Sequence, residues 1–313
     1  VPDDLAMQRL AAVHPAMKAA LPRAVRRRRS TGAIWLLLPS LVLLAAFTYW
    51  PVAQVVWRSL LQQQFGDGVS YGLGNYARLL SDRGFGQAAG NTALFALGTI
   101  VPSIVLALLF ALALQDQTWL HGVLRCMLVM PMMVPLVAAA ALFTFLMLPG
   151  EGLIDHYLAA IGLGATNWLG DPALALGSIC AITVWKNAGY YMLFFLAGLA
   201  GVPRELHEAA MLEGANALQR AWRITLPLLG PTFAFVLVIA AVNVLVQVDH
   251  VIVMTGGGPS GTTNLLLSYI YQQSQQNNDP GLASAATAVS VAGLFALAVV
   301  GLRTLERGVH YES

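Results

Sequence analysis

The stretch "ELHEAAMLEGANALQRAWRITLPL", residues 205–228, decides how the whole chain is read. It carries Glu205, Glu208, Glu213, His207, Arg220 and Arg223, in a chain of 313 residues that is 58% hydrophobic and only 10% charged. Soluble folds carry about a quarter of their residues as charges. The chain at large therefore suits hydrocarbon, and this one segment suits water or a protein partner.

Helix signals are dense here. Pro203 suits a first helical turn, where its missing N–H is not needed, and Glu205 and Glu208 favour the positive end of the helix dipole. Gly214 is a C-terminal stop. Asn216, with Gln219 three residues on, has the capping-box spacing that starts a second short helix. Leu206, Ala209 and Ala210 recur on the first helix, and Ala215, Leu218 and Trp222 on the second. Two uses fit residues 203–227. They form a plug for a groove in a partner, or an amphipathic loop on lipid headgroups with Arg220 and Arg223 at phosphate.

Outward from this segment lie six apolar stretches of the roughly 20 residues needed to cross a bilayer. They are 34–57, 89–114, 121–148, 173–200, 228–254 and 282–302, which predicts an all-α polytopic membrane protein. The first is too long for a cleaved secretory signal and lacks a small-residue cleavage site. Residues 1–30, ending in Arg26 to Arg29, read as a cytosolic arm, leaving 31–313 as the membrane domain. Inside segments would hold Arg9, Lys18, Arg23, Arg26 to Arg29, Arg125, Arg204, Arg220, Arg223, Arg303 and Arg307, against Arg58, Arg78 and Arg83 outside. That bias, 13 to 3, puts both termini in the cytosol.

Polar residues within spans are costly, so each is a site candidate. Lys186 lies in the fourth stretch beside Trp185, Asn187, Tyr190 and Tyr191. Asn243, Gln247, Asp249 and His250 recur at roughly helical intervals in the fifth and would line the same path. Aromatic faces and amides suit a sugar or polyol, and an ammonium suits a phosphate. The alternative for Lys186 is an ion pair, with Asp249 as the candidate partner, or snorkelling to the interface. Between the last two stretches, Gly256, Gly257, Gly258 and Pro259 make a shaped loop with free amides. It suits a protein contact outside the membrane, or it simply links two spans. Tyr49, Trp50 and Trp57 read as an interface belt, and Pro131 and Pro135 as kinks.

Several chemistries are excluded. Neither of the two lysines follows a glycine-rich loop, so no nucleotide site is expected. His207 and Glu208 are not a zinc-protease helix, because Met211 stands where the second histidine would be. Cys126 and Cys180 have no metal-ligand spacing and no disulfide is expected. No nucleophile is assembled, so the chain is not expected to be an enzyme, to hold a metal or cofactor, or to bind nucleic acid. If it performs energised transport, the energy enters elsewhere; an ion-gradient transporter working through Asp249 and His250 is the alternative class.

Glu208-Ala209-Ala210, Gly214, Ile224 and Leu226-Pro227 have the spacing EAA-x3-G-x9-I-x-LP. At every fixed position this resembles the signature of permease subunits of ABC importers. "VPRELHEAAMLEGA" is similar to its form in the carbohydrate-uptake branch. "VWKNAGYYMLFFLAGL", "TGGGPSGTTNLLLSYIY" and "LERGVHY" resemble most the permeases of glycerol-3-phosphate and glycerophosphodiester importers, and disaccharide permeases share much of this. "LFTFLMLPGEG" departs from the pattern, since many relatives carry a tryptophan in that span. The resemblance implies a type I ABC importer transmembrane fold of six spans in the bacterial cytoplasmic membrane. It implies coupling helices at 203–227 docked on a homodimeric ATPase that holds ATP and Mg2+, with Glu208 at the contact. It also implies a second homologous permease, and an extracytoplasmic solute-binding protein meeting the loop at Gly256 to Pro259. Glu208 has a plainer alternative role in supporting its own helix dipole.

Overall fold

The structure, a computed structural model, describes residues 31–63, 69–162 and 164–306. The expected arm 1–30 with Arg26 to Arg29, and the end of the chain from Arg307, lie outside the described residues. The described residues divide into two units between Ala53 and Gln54. Helix α1 (Thr31–Leu44) runs through a π-helical turn, Ala45–Tyr49, into α2 (Trp50–Ser59). Within the resulting helix Leu37–Ser59, the most apolar window buries nothing inside the chain. Its side chains are suited to lipid contact by composition rather than by packing.

The second unit opens with a short antiparallel hairpin, β1 (Leu61–Gln63) against β2 (Val69–Tyr71), pairing Leu61 with Tyr71. Helix α3 (Gly74–Ser81) leads to α4 (Arg83–Ala113), whose N-cap Asp82 accepts from the Gly84 amide at 2.7 Å. The expected second span began at 89. The helix starts earlier because Asp82 satisfies its first free amides. After α5 (Trp119–Met133) and α6 (Leu136–Leu146) come the short α7 (Leu153–Ala160) and the long α8 (Ala175–Ala200).

Helix α8 is the hub. Its most apolar window is 67% buried, against 22% for α4. A helix apolar on all sides belongs inside a bundle. Tyr191, Met192 and Phe195 of α8 pack with Ala107 and Ala111 of α4, and with Leu229, Val236 and Ala240.

The third expected span, 121–148, is not one straight helix. Helices α5 and α6 meet at 97°. Pro135 has no N–H to give to the Pro131 carbonyl, and a residue before proline is driven out of the helical region. Val134 accordingly takes φ −73, ψ 129, and α5 ends there. Trp168 and Leu169 pack on the cluster of Ala140, Met147, Ile182 and Met254.

The crossing of α5 over α8 depends on one glycine. A Cβ at Gly189 would lie 1.8 Å from the Leu128 carbonyl oxygen, so the two backbones touch. Beyond α8 follow α9 (Arg204–Leu212), α10 (Ala217–Arg220), a π-helical turn Ala221–Thr225, and α11 (Leu226–Leu228). The fifth expected span is present as one run, Gly230–Met254, with a local interruption. Helix α12 (Gly230–Val246) stops at Gln247, with φ −86 and ψ 78, before α13 (Asp249–Met254). Helix α14 (Leu266–Tyr271) and a π-helical turn precede α15 (Pro280–Glu306).

Four helices among the described residues are long and apolar enough to cross a membrane, and the bent pair α5–α6 makes a fifth. The 27 residues of α15, about 40 Å at 1.5 Å per residue, cover the sixth expected stretch.

Candidate functional site

Residues 203–227 contain a capped helix–turn–helix. Pro203 is the N-cap of α9 (φ −61, ψ 129), so it precedes the helix rather than occupying its first turn. Gly214, at φ +82, turns the chain. Its amide bonds the Met211 carbonyl at 3.0 Å, and the Ala215 amide bonds Ala210 at 2.9 Å. The capping box at Asn216 and Gln219 is complete, with bonds of 2.8 and 2.9 Å. Two free helix ends are thereby satisfied within the segment itself.

Glu208 and Ala209 are exposed and Ala210 is half-buried, while Ile224 and Leu226 are half-buried beside an exposed Pro227. Among the charges sit three large apolar side chains facing solvent: Leu212 is 91% exposed, Leu218 68% and Trp222 67%. Apolar side chains clustered on a polar surface mark an interaction site. The segment runs through the π-helical turn directly into α12.

Helix α12 and its continuation α13 are tied to α8 by three polar rungs. Thr183, Asn187 and Tyr191 stand four residues apart, on one face of α8. The Thr183 hydroxyl lies 3.0 Å from His250 Nε2, Asn187 Nδ2 donates to Gln247 Oε1 at 3.4 Å, and Asn243 Nδ2 donates to the Tyr191 hydroxyl at 3.1 Å. The partners descend as the α8 positions rise, as antiparallel neighbours must. Asn187 Oδ1 and His250 Nδ1 are buried and without a protein partner among the described residues. Such atoms demand water or a ligand hydroxyl, because an unmet buried polar group costs about 1–3 kcal/mol.

Other expected path residues go elsewhere. Asp249 is exposed and makes no ion pair with Lys186. The Lys186 ammonium, 5% exposed, instead donates to the carbonyls of Pro131 and Met132 at 3.2 Å each, and to that of Val134. These three acceptors belong to the broken end of α5. Trp185 lies edge-on to Phe143, with centroids 5.1 Å apart, away from the rungs. Tyr190 packs on Phe194 at 5.0 Å and on Tyr191 at 5.7 Å.

The glycine loop differs from expectation in its amides. The Gly256 N–H bonds Val251 at 3.0 Å and the Gly258 N–H bonds Thr255 at 2.9 Å, so both close the end of α13. A helix that stops must satisfy its last carbonyls, and these glycines do so. Gly256 is exposed, Gly257 is buried, and Gly258 and Pro259 are half-buried. Asn91 of α4 fastens the loop by donating to the Gly261 and Asn264 carbonyls at 2.8 and 3.0 Å.

Near this end of α4, the Tyr269 hydroxyl donates to Asp82. Burial and the Asp82 carboxylate push the phenol up. Asp155 of α7, buried, accepts from the Gly150 amide at 2.8 Å, Trp168 Nε1 at 2.8 Å and the Thr166 amide at 3.0 Å. These donors hold its carboxyl below the usual carboxylate range.

Thr183 and Asp155 escape a reading of the sequence that looks only for charges inside spans. The four-residue spacing of Thr183, Asn187 and Tyr191 is the signal that would find the first. Nothing in the sequence marks Gly189.

Residues 103–311 match the binding-protein-dependent transport system inner membrane component family, and the chain belongs to it. It is 32% identical to the sn-glycerol-3-phosphate transport system permease protein UgpA of Agrobacterium fabrum, covering 88% of this chain and 95% of the relative. It is 31% identical to the sulfoquinovosyl glycerol transport system permease protein SmoG of the same organism, covering 87% and 90%. Against the trehalose/maltose transport system permease protein MalF of Thermococcus litoralis, identity is 32% over 86% and 91%. The solved bacterial ABC transporter involved in import of the acidic polysaccharide alginate superposes with a TM-score of 0.78 at 23% identity, over 88% of this chain and 96% of that one. The chain is thus an inner-membrane permease of the sugar and glycerol-phosphate ABC importer family, with the all-α importer fold. Permease subunits of this family are not themselves enzymes.

Proposed function

We propose that the chain forms half of the translocation path of an ATP-driven importer for glycerol-3-phosphate, glycerophosphodiesters or a related sugar. A second, homologous permease supplies the other half. A homodimeric ATPase, holding ATP and Mg2+, grips residues 203–227, and a solute-binding protein delivers cargo at the opposite face beside Gly256 to Pro259. The names of the relatives support the cargo class, and a related importer solved with its pentasaccharide-bound periplasmic protein supports the delivery step.

The observation that carries the reading is the continuity of the exposed helix–turn–helix with α12. Force on Glu208, Leu212 and Trp222 passes through a fully capped turn, so it reaches the membrane rather than being lost in a flexible loop. There α12 slides against α8, and the rungs Asn187–Gln247 and Tyr191–Asn243 part. Amide and hydroxyl groups released in this way are suited to the hydroxyls of a polyol or sugar. The positive-inside bias supports a cytosolic position for 203–227 and for both termini.

The test is tagged purification from the native membrane, followed by uptake of radiolabelled sn-glycerol 3-phosphate and maltose in vesicles. Co-purifying ATPase and second permease, with uptake abolished when the ATPase gene is deleted, is the expected result. Uptake that persists without the ATPase overturns the reading in favour of gradient-driven transport through Asp249 and His250.

A further inference from the structure

A cavity of about 890 Å³ with several polar side chains in its lining lies between the end of α2, the β1–β2 hairpin, α3 and the start of α15. Two of the few arginines expected outside the membrane, Arg58 and Arg78, line it. Arg78 is paired: its Nη2 lies 2.6 Å from Asp279 Oδ2. Asp279 is also engaged, since its Oδ1 accepts from the Leu282 amide at 2.9 Å and caps α15. Arg58 makes no ion pair among the described residues. Among the described residues, two guanidinium groups against one carboxylate leave the lining net positive.

The walls are built rather than accidental. Buried Asn75 donates to the Ser59 and Leu61 carbonyls at 3.0 and 2.7 Å, locking α3 to the end of the first span and to the hairpin. A Cβ at Gly281 would lie 2.8 Å from Asn75 Nδ2 and 3.0 Å from the Leu61 carbonyl. Only glycine lets α15 close this side. Asn278, exposed at φ +50, and Gln62 add amides to the lining. Pro280 and Gly281 bring the positive end of a 27-residue helix to the same place, already partly neutralised by Asp279.

Height along the membrane is given by the neighbours. Arg58 adjoins Ser59, the last residue of the span Leu37–Ser59. Beside it, Trp57 and Tyr71 meet edge to face at 5.4 Å with both rings largely exposed. Exposed tryptophan and tyrosine next to arginine at a span end mark the level of lipid phosphates.

We propose that this cavity binds a phosphate ester at the membrane surface, with Arg58 as its chief cation. A guanidinium fork matches two phosphate oxygens, and the amides serve the glycerol or hydroxyl portion. The height of the cavity makes a phospholipid headgroup the expected carrier, with a soluble phosphate ester as the other source of the same chemistry. The site is distinct from the rungs between α8 and α12. It rests on the importer reading only for its placement at the outer face.

The test uses the full chain with its co-purifying subunits, in detergent and without ATP. Dioleoyl phosphatidylglycerol is titrated and its retention read by native mass spectrometry; sn-glycerol 3-phosphate is titrated by calorimetry on the same sample. Arg58→Gln and Asn278→Asp should each weaken binding about tenfold, and Arg58→Lys, which keeps the charge but not the fork, should restore it only in part. Both positions are exposed, and unchanged thermal melting shows that the fold is kept. Loss confined to phosphatidylglycerol identifies a headgroup, and loss confined to glycerol 3-phosphate identifies a soluble ester. Failure of the wild type to retain either probe, or equal retention by wild type and Arg58→Gln, overturns the proposal. A preparation that binds the ester but takes up solute without ATPase removes the importer reading and leaves this site standing.

Discussion

Lys186 donates from α8 to the carbonyl of Pro131, 55 residues earlier in the chain, at 3.2 Å. Pro135 cannot supply the amide that would bond this carbonyl in an unbroken helix, so the carbonyl is shared between the Val134 amide, at 3.3 Å, and the ammonium. The cation thus sits at the negative end of α5 and meets the carbonyls that the bend exposes. A buried charge is tolerable where hydrogen bonds surround it.

Lys186→Met should therefore destabilise the bundle rather than alter ligand choice. Three charge-assisted hydrogen bonds made by a buried side chain are lost, at a cost of about 2–4 kcal/mol. Melting of the purified protein should fall by several degrees, and uptake of glycerol 3-phosphate and of maltose should fall together. Selective loss of the anionic substrate would show that Lys186 contacts phosphate.

Gly189→Ala should be more damaging than its size suggests. The new methyl would stand 1.8 Å from the Leu128 oxygen, so α5 must move off α8, at a cost of about 1–3 kcal/mol or more. Because Lys186 lies one turn away, its grip on the bend should loosen as well. Disulfide trapping between cysteines placed on α5 and α8 would report the displacement; unchanged trapping and melting would refute the contact.

Gly214→Val should uncouple rather than unfold. A β-branched residue at φ +82 is strained by about 1–2 kcal/mol, and the turn would open. Membrane insertion should survive, with uptake per ATP hydrolysed falling in proteoliposomes. Normal coupling in this variant would argue against a tight turn.

Asp155 predicts a pH dependence. Its folded carboxyl titrates below the usual range because the Gly150 amide, Trp168 and the Thr166 amide favour the carboxylate. A depressed folded value stabilises above the unfolded value, about pH 4, and that stability is lost as pH falls through the folded value. Asp155→Asn should melt below the wild type at pH 7, with the gap closing toward pH 3. A constant gap across that range would remove the carboxylate as the cause.

Much of this was legible from local pattern. The capping box at Asn216 and Gln219 and the turn at Gly214 depend on neighbours three or four residues away, so the sequence contains the whole interaction. The polar positions of α8 and α12 were visible as groups that lipid would not tolerate, but not which would meet. Asp249 was a plausible partner for Lys186 by charge alone. Geometry gave Lys186 to carbonyls instead, because the break before Pro135 turns the end of α5 toward it.

By itself the sequence determined the class: apolar stretches of membrane length, and one charged segment whose spacing marks the family. Both are short-range properties, set by backbone hydrogen bonding and by transfer between water and lipid. Only the tertiary structure decided that the third stretch bends by 97°, that Gly189 lets α5 cross close over α8, and that Thr183, Asn187 and Tyr191 face His250, Gln247 and Asn243. Those outcomes require two distant helices to approach, and which carbonyl or amide a side chain then finds depends on where their backbones cross.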